Sequence, residues 1–433
     1  MPIAQEMELK VKKPQHPLKT AGGVSAGAVE ASLAKSVRLA SIYAFILFWN
    51  YIAFCVLTLL SWVAFLISQR ASNRFARSAA KRNPKLATPK NIAAILAARA
   101  FQPEFCFGAR GAAMSRVASA RTYLSQIHSG VDPRKPEPGF HPYLFAEAMA
   151  HEMGERDDPY VKFLQLGRPD GCWKFPVILG GEVGQTIGDK SDLRAALHVH
   201  AYYICQLADI LKRLNLNRQR PDLFVSVRND ADAVTAREIL MNYAGQVVEV
   251  AVFPNVGRDI GPMLTGFGPT LIRDYDVIGH VHTKKSLFSN NDLWVANWVE
   301  FTLSNMLGSD LAGPMIDRAL TAMVADERVG MVYPEDPHIP GWGQNSDVAE
   351  QIAAQLGVGE LPSAFNFPVG TMFWARSGAL RPFVELGLSW SDYPSEPIAT
   401  DGTMLHALER LFGAVPTRLG WKTQVTYTPG VHR

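Results

Sequence analysis

The order of apolar and polar positions divides the chain into unlike parts. From Leu39 to Ser68 (LASIYAFILFWNYIAFCVLTLLSWVAFLIS) no charged residue interrupts an apolar run. About 20 apolar residues span a bilayer, so this run is long enough for a transmembrane helix, and Asn50 is one tolerable amide within it. A cleaved signal peptide fits poorly, because the run is too long and the tail before it exceeds a usual n-region. Residues 1–38 are polar and of low complexity, which predicts a flexible tail. From about residue 190 short strand-like runs alternate with helical periodicity. Strands are expected at Leu197–Tyr203, Asp222–Val227, Val247–Phe253, Asp276–His282, Val329–Tyr333 and near Gly370–Ala375. Helices are expected at Ile204–Leu214 and Ala231–Tyr243. Strands separated by helices of this length argue for an α/β domain with a mostly parallel sheet flanked by helices over 190–433. The site of such a sheet lies beyond the carboxyl ends of its strands.

Flanking charge orients the apolar run. Lys35 and Arg38 precede it, whereas Arg70, Arg74, Arg77, Lys81, Arg82 and Lys85 follow with no acid among them. Positive residues stay on the cytoplasmic side, so the larger, C-terminal part is expected in the cytoplasm, and the same cluster suits anionic lipid headgroups. Residues 69–99 read as a basic juxtamembrane linker. Residues 100–189 read as a small helical region with a weak internal echo. Phe101-Gln-Pro-Glu-Phe105 and Thr122-Tyr123-Leu124 are followed about forty residues later by Phe140-His-Pro-Tyr-Leu-Phe145 and Val161-Lys-Phe-Leu164. A period of that size suggests two degenerate copies of one helical unit.

Composition adds limits. In 433 residues, 48% are hydrophobic and 19% charged, which is enough for buried cores and excludes a wholly disordered chain. A net charge of +3 is too small to imply nucleic-acid binding, and the basic cluster at 70–85 more than accounts for it. The four cysteines (Cys55, Cys106, Cys172, Cys205) form no CxxC pair, so neither a disulfide framework nor a zinc ribbon is indicated. The mean hydropathy of +0.01 averages the apolar run with a more polar remainder.

Chemistry gathers where the strands end. After Asp222–Val227 come Asn229, Asp230 and Asp232; a carboxylate here suits a ribose or base, and Asp230 or Asp232 would equally cap the next helix. After the third strand come Asn255, Gly257, Arg258, Asp259 and Gly261. The glycines permit a sharp turn or close approach, Arg258 can hold a phosphate bidentately, and Asp259 can hold Arg258. The fourth strand places His280 and His282 on one face and then releases Lys284 and Lys285, point cations suited to a pyrophosphate. A second pair, His198 and His200, lies in the first strand. Paired imidazoles suit a metal, and half-buried structural histidines fit as well. Gly370, Thr371 and Trp374 could wall an acceptor pocket, with Trp374 as a stacking face. Asp401 opens a helix carrying His406, Glu409 and Arg410, and is placed either to cap it or to act as a general base.

The stretches NVGRDIGPML, YDVIGHVHTKKS, VGMVYPED, WGQN, FPVGTMFWARSGAL and DGTMLHALERLFG together resemble the rhamnan synthesis protein F family over roughly residues 190–430. The echo before them resembles short helical repeats that precede glycosyltransferase domains in bacterial polysaccharide proteins. The resemblance implies a rhamnosyltransferase or related glycosyltransferase of cell-surface polysaccharide synthesis, with a GT-A-like (Rossmann-like) fold. It implies a nucleotide-diphospho-sugar donor, dTDP-rhamnose, and a lipid-linked glycan acceptor. By the same resemblance Asp230 or Asp232 would face the nucleoside, Asn255 and Gly257 would match the family's Asn-x-Gly loop, and Asp401 would be the base. One departure concerns the metal. The usual Asp-x-Asp at the end of the fourth strand is replaced by His280-Val-His282, and Asp274-Tyr-Asp276 sits at the strand's opposite end. Dependence on Mg or Mn is therefore open, and Arg258, Lys284 and Lys285 are candidates to replace the ion. The resulting expectation is an inverting glycosyltransferase anchored by one span in the bacterial inner membrane. Two alternatives stand beside it: a metal-dependent polysaccharide deacetylase, from the His-x-His pairs, and a non-catalytic assembly protein.

Overall fold

Eight short strands form one mixed sheet in the computed structural model, which describes residues 87–433 apart from 131, 155–156, 182–192 and 285–291. They are β1 Val177–Leu179, β2 Ala195–His200, β3 Asp222–Val227, β4 Val247–Val252, β5 Val277–His282, β6 Val329–Pro334, β7 Phe373–Arg376 and β8 Lys422–Tyr427. Their order across the sheet is β1-β8-β6-β7-β5-β2-β3-β4. Neighbours run parallel except at β7, which is antiparallel to both β5 and β6.

Among the described residues six helices come first: α1 Pro89–Ala98, α2 Pro103–Phe107, α3 Ala109–Ala113, α4 Arg116–Ser129, α5 Pro142–Ala148 and α6 Pro159–Gln165. Proline opens α1, α2, α5 and α6, where its missing N–H is no loss. The echo in the sequence has a physical counterpart. Phe101 and Phe140 stand just before α2 and α5, and both rings pack on Tyr160, at 6.5 and 5.5 Å between centroids. Residues 89–98, expected as linker, form α1 because Thr88 caps it and Ile92 and Ile95 bury themselves in this aromatic core. A buried ion pair of Lys135 with Glu335, just past β6, ties the helices to the sheet, and the same ammonium donates to Asn366 Oδ1 at 2.8 Å.

The remaining helices are α7 Leu207–Leu214, α8 Asp230–Leu240, α9 Gly268–Asp274, α10 Asp292–Met306, α11 Met315–Ala325, α12 Ser346–Gln355, α13 Ser377–Glu385 and α14 Met404–Arg418. Alternation sorts the central strands onto two cores. Ala196, Phe224 and Ile278 face a cluster with Phe267, Phe383 and Phe412. Leu197, Val199, Val225 and Val281 face one with Trp298, Leu307 and Ile316. A sheet covered on both faces leaves its ends as the place for chemistry. From β2 the chain steps one way to β3 and β4, while β5 lies on the other side of β2. In open α/β sheets such a change of direction marks the binding crevice, which here falls at the carboxyl ends of β2 and β5.

Among the described residues no helix is long and apolar enough to cross a membrane. The Leu39–Ser68 run, the tail before it and the basic residues at 70–85 lie outside the described residues.

Candidate functional site

The floor of the crevice is a chain of buried polar groups. The register of β2 on β5 pairs His198 with His280 and His200 with His282. The rings of His198 and His280 stack, with centroids 4.9 Å apart and planes 20° from parallel, and their Nδ1 atoms are 3.0 Å apart. Nε2 of His280 lies 3.3 Å from Asp259 Oδ2. On the other side Ser226 Oγ, from β3, sits 2.9 Å from His198 Nε2 and 2.8 Å from His200 Nδ1. Burial pushes both His198 and His280 toward the neutral form. Burial works against ionisation of Asp259 too. The His282 charge, the His280 hydrogen bond and the Thr371 hydroxyl outweigh it and hold that carboxyl well below the usual carboxylate range.

The loop before β7 completes the floor. Gly370 has φ +83°, and a Cβ there would stand 2.3 Å from the Trp298 ring. Its N–H donates to Glu409 Oε1 at 2.5 Å, and its carbonyl lies 2.8 Å from His282 Nε2. Thr371 donates to Asp259. Gly257 is equally constrained, since a Cβ would meet Gly261 Cα at 2.8 Å and Tyr393 Cγ at 2.9 Å.

Cations stand above this floor. Gln206 clamps the backbone of Lys284 in both directions, accepting from its N–H at 3.0 Å and donating to its carbonyl at 2.9 Å. The Lys284 ammonium rests 4.0 Å from the Trp298 ring centroid. Burial lowers its pKa, the Glu409 and Asp259 carboxylates raise it, and the Arg433 and Arg258 charges lower it. Arg258 holds a positive φ of 49°, is 45% exposed and meets Glu396 at 3.3 Å. Asp401 accepts from Asn345 Nδ2 at 2.7 Å and lies 3.6 Å from Arg410 Nη2. Burial would raise its pKa, but these partners hold it below the usual range. His406 feels the charges of Asp401, Arg258 and Arg410 together. One electrostatic neighbourhood thus runs from Asp401 through Arg258 to Lys284 and Asp259.

Several expected roles change. Trp374 is completely buried and its indole N–H donates to Met306 O, so it is core and cannot face an acceptor. Asn229 caps α8 by accepting from the Asp232 N–H at 2.8 Å, the task the sequence reading gave to Asp230 or Asp232. Asp232 is held by Arg228 at 2.9 Å, while Asp230 and Asn255 are exposed. Both ring nitrogens of His280 are engaged, and those of His282 face the carbonyls of Gly370 and Thr283. These rings therefore offer no nitrogen for a metal. Among the described residues no three of His, Cys, Asp and Glu form a metal-holding group. The two imidazoles at the place of the Asp-x-Asp do not suit Mg or Mn, hard ions that prefer oxygen donors. Asp276 accepts from Arg194 N at the amino edge of the sheet, as its place in the sequence implied. Lys285 lies outside the described residues. Ser226 and Asn345 carry no signal in the sequence beyond the WGQN stretch that holds the second, and Glu409 stands out there only as part of the helix that Asp401 opens. A separate cavity of about 430 Å³ includes Glu147, Trp342, Ser346, Glu350 and Arg418 in its lining, and none of the strand-end residues above.

Fold and site define an α/β protein whose polar crevice lies at a switch in strand order. The chain belongs to the rhamnan synthesis protein F family, whose profile matches residues 170–420. It is 30% identical over 242 residues to uncharacterized protein WxcX of Xanthomonas campestris pv. campestris strain B100, and equally to that of strain ATCC 33913. The match covers 55% of this chain and 33% of those relatives, so the chain spans about a third of their length. Among solved structures, glucosyl-3-phosphoglycerate synthase from Mycobacterium tuberculosis aligns over 60% of this chain and 80% of its own, at 13% identity and TM-score 0.28. CMP:2-keto-3-deoxy-manno-octonic acid synthetase aligns over 54% of this chain and 90% of its own, at 9% identity and TM-score 0.26. Scores this low assign neither fold nor activity.

Proposed function

We propose that the chain is an inverting, GT-A-like glycosyltransferase of cell-surface polysaccharide synthesis, and specifically a rhamnosyltransferase. Its donor is a nucleotide-diphospho-sugar, dTDP-rhamnose, and its acceptor is a lipid-linked glycan. The Leu39–Ser68 run anchors it in the bacterial inner membrane with the crevice in the cytoplasm, where donor sugars are made. The observation that carries this reading is that the Arg258 charge bears both on Lys284, just past β5, and on His406, which the Asp401 charge also reaches, beside a topological switch point, the place where open α/β sheets bind nucleotides.

Each group has a task. Asp401, ionised and held by Asn345, takes the proton of the acceptor hydroxyl. The freed oxygen bonds to the anomeric carbon of the donor from the face opposite the diphosphate. The bond from that carbon to the phosphate oxygen breaks, and its electron pair leaves on the diphosphate. Arg258 and Lys284 stabilise this charge, as preorganised cations do in a partly desolvated site. Glu409 and Asp259 set the position of Lys284. With Trp374 buried, the half-exposed Trp342 in the separate cavity supplies an aromatic wall for the acceptor, three residues from Asn345. No step is routed through a metal.

Asp401→Asn tests the base. Sugar transfer should fall by about a thousandfold, while affinity for the nucleoside diphosphate stays unchanged. Unaltered turnover removes Asp401 from the mechanism.

A further inference from the structure

The crevice floor also determines where its protons sit. An ionised Asp259 only accepts, so His280 Nε2 carries a proton toward it. Burial keeps the His280 and His198 rings neutral. His280 therefore presents a lone pair at Nδ1, and His198 Nδ1–H must donate across the 3.0 Å gap. That leaves a lone pair at His198 Nε2, so the single hydroxyl proton of Ser226 points there, across 2.9 Å. Ser226 Oγ then accepts from His200 Nδ1 at 2.8 Å. Burial lowers the His200 pKa to about 4, so this ring is neutral too. Its Nε2 is left as a lone pair, with no hydrogen-bond partner among the described residues. It stands at the carboxyl end of β2, at the switch point. The half-exposed Tyr202 ring is 6.1 Å away and carries the Arg228 guanidinium 5.1 Å from its centre.

We propose that this relay fixes His200 Nε2 as a hydrogen-bond acceptor in the crevice, and that it selects a nucleotide whose base presents a ring N–H there. Uracil and thymine do so with the imide N3–H, whereas cytosine presents a lone pair at N3. The proposal rests on the nucleotide-sugar reading above and names the residue that reads the donor's base. With cytosine two lone pairs face each other, and a partly desolvated acceptor stays unpaired, which costs more than a hydrogen bond merely lost to water. His200 acts here as a specificity residue, and Ser226, His198 and His280 as positioning residues that hold its tautomer.

UDP and CDP isolate the atom, since they differ only at N3 and the adjoining exocyclic group. Their binding to the full chain is measured by calorimetry. UDP should bind about tenfold more tightly than CDP. Ser226→Ala and His200→Phe should each bring that ratio below about threefold. The ratio is the readout because damage to the fold weakens both ligands together. Nitrogen-15 spectra of the unsubstituted chain give a second measurement that needs no variant: His200 should be protonated at Nδ1 and bare at Nε2. Equal affinities in the unsubstituted chain, a ratio that survives both substitutions, or a His200 protonated at Nε2 each overturn the assignment. Failure of both nucleotides to bind overturns instead the nucleotide-sugar reading beneath it.

Discussion

The floor and the rim of the crevice are built from similar residues and behave differently. On the floor, His198, His280 and Thr371 are each 5% exposed or less, and their polar atoms bond to one another or to Asp259. At the rim, Arg258 and Asp401 keep 45% and 35% of their side chains exposed, and each meets a partner that a ligand could displace. A buried polar network that is satisfied is rigid, and breaking one member leaves the others unpaired at full cost. A half-exposed ion pair contributes little to stability. The floor therefore holds geometry, and the rim is free to bind and react.

Substitutions can break this contrast. The largest stability effect is expected on the floor at Gly370→Ala, where the new methyl meets the Trp298 ring and the backbone keeps a positive φ. Urea denaturation should show a loss of about 3 kcal/mol. His280→Phe strips partners from His198 and from the Asp259 carboxylate, and the same measurement should show a loss of about 2 kcal/mol. Acid gives a smaller effect. Because the Asp259 pKa is depressed on folding, its stabilisation is complete above the unfolded value, about pH 4, and is lost as pH falls below it. Asp259→Asn should flatten the stability profile in that range. A profile that keeps its slope would mean that Asp259 is not held as described.

Much of the sheet was legible in the sequence. Asp222–Val227 formed a strand with the bounds its alternation gave, and Val277–His282 and Val329–Pro334 differ from expectation by one residue. β1 and β8 were both missed, β1 because three residues carry no period and it lies in a stretch that reads as helical. The Gly-Arg-Asp turn and the lysine after β5 were readable because a strand end locates them without any knowledge of partners. The histidines were visible, but their task was not. Alternation shows which residues share a face of one strand; only the pairing of β2 with β5 turns two His-x-His pairs into a stack. Trp374 failed for the same reason, since alternation does not say that both faces of the sheet are covered. Glu409 reaches Gly370 from a helix 39 residues later, and no local pattern marks that meeting.

The separation of floor from rim is tested most directly by Lys284→Met combined with Arg258→Ala. Affinity for UDP and the thermal midpoint are measured on the same preparation of the full chain. Affinity should fall about a hundredfold, near 2.7 kcal/mol, with the midpoint unchanged. Unchanged affinity, or a loss of affinity matched by a lowered midpoint, would contradict the assignment of the rim cations to the diphosphate.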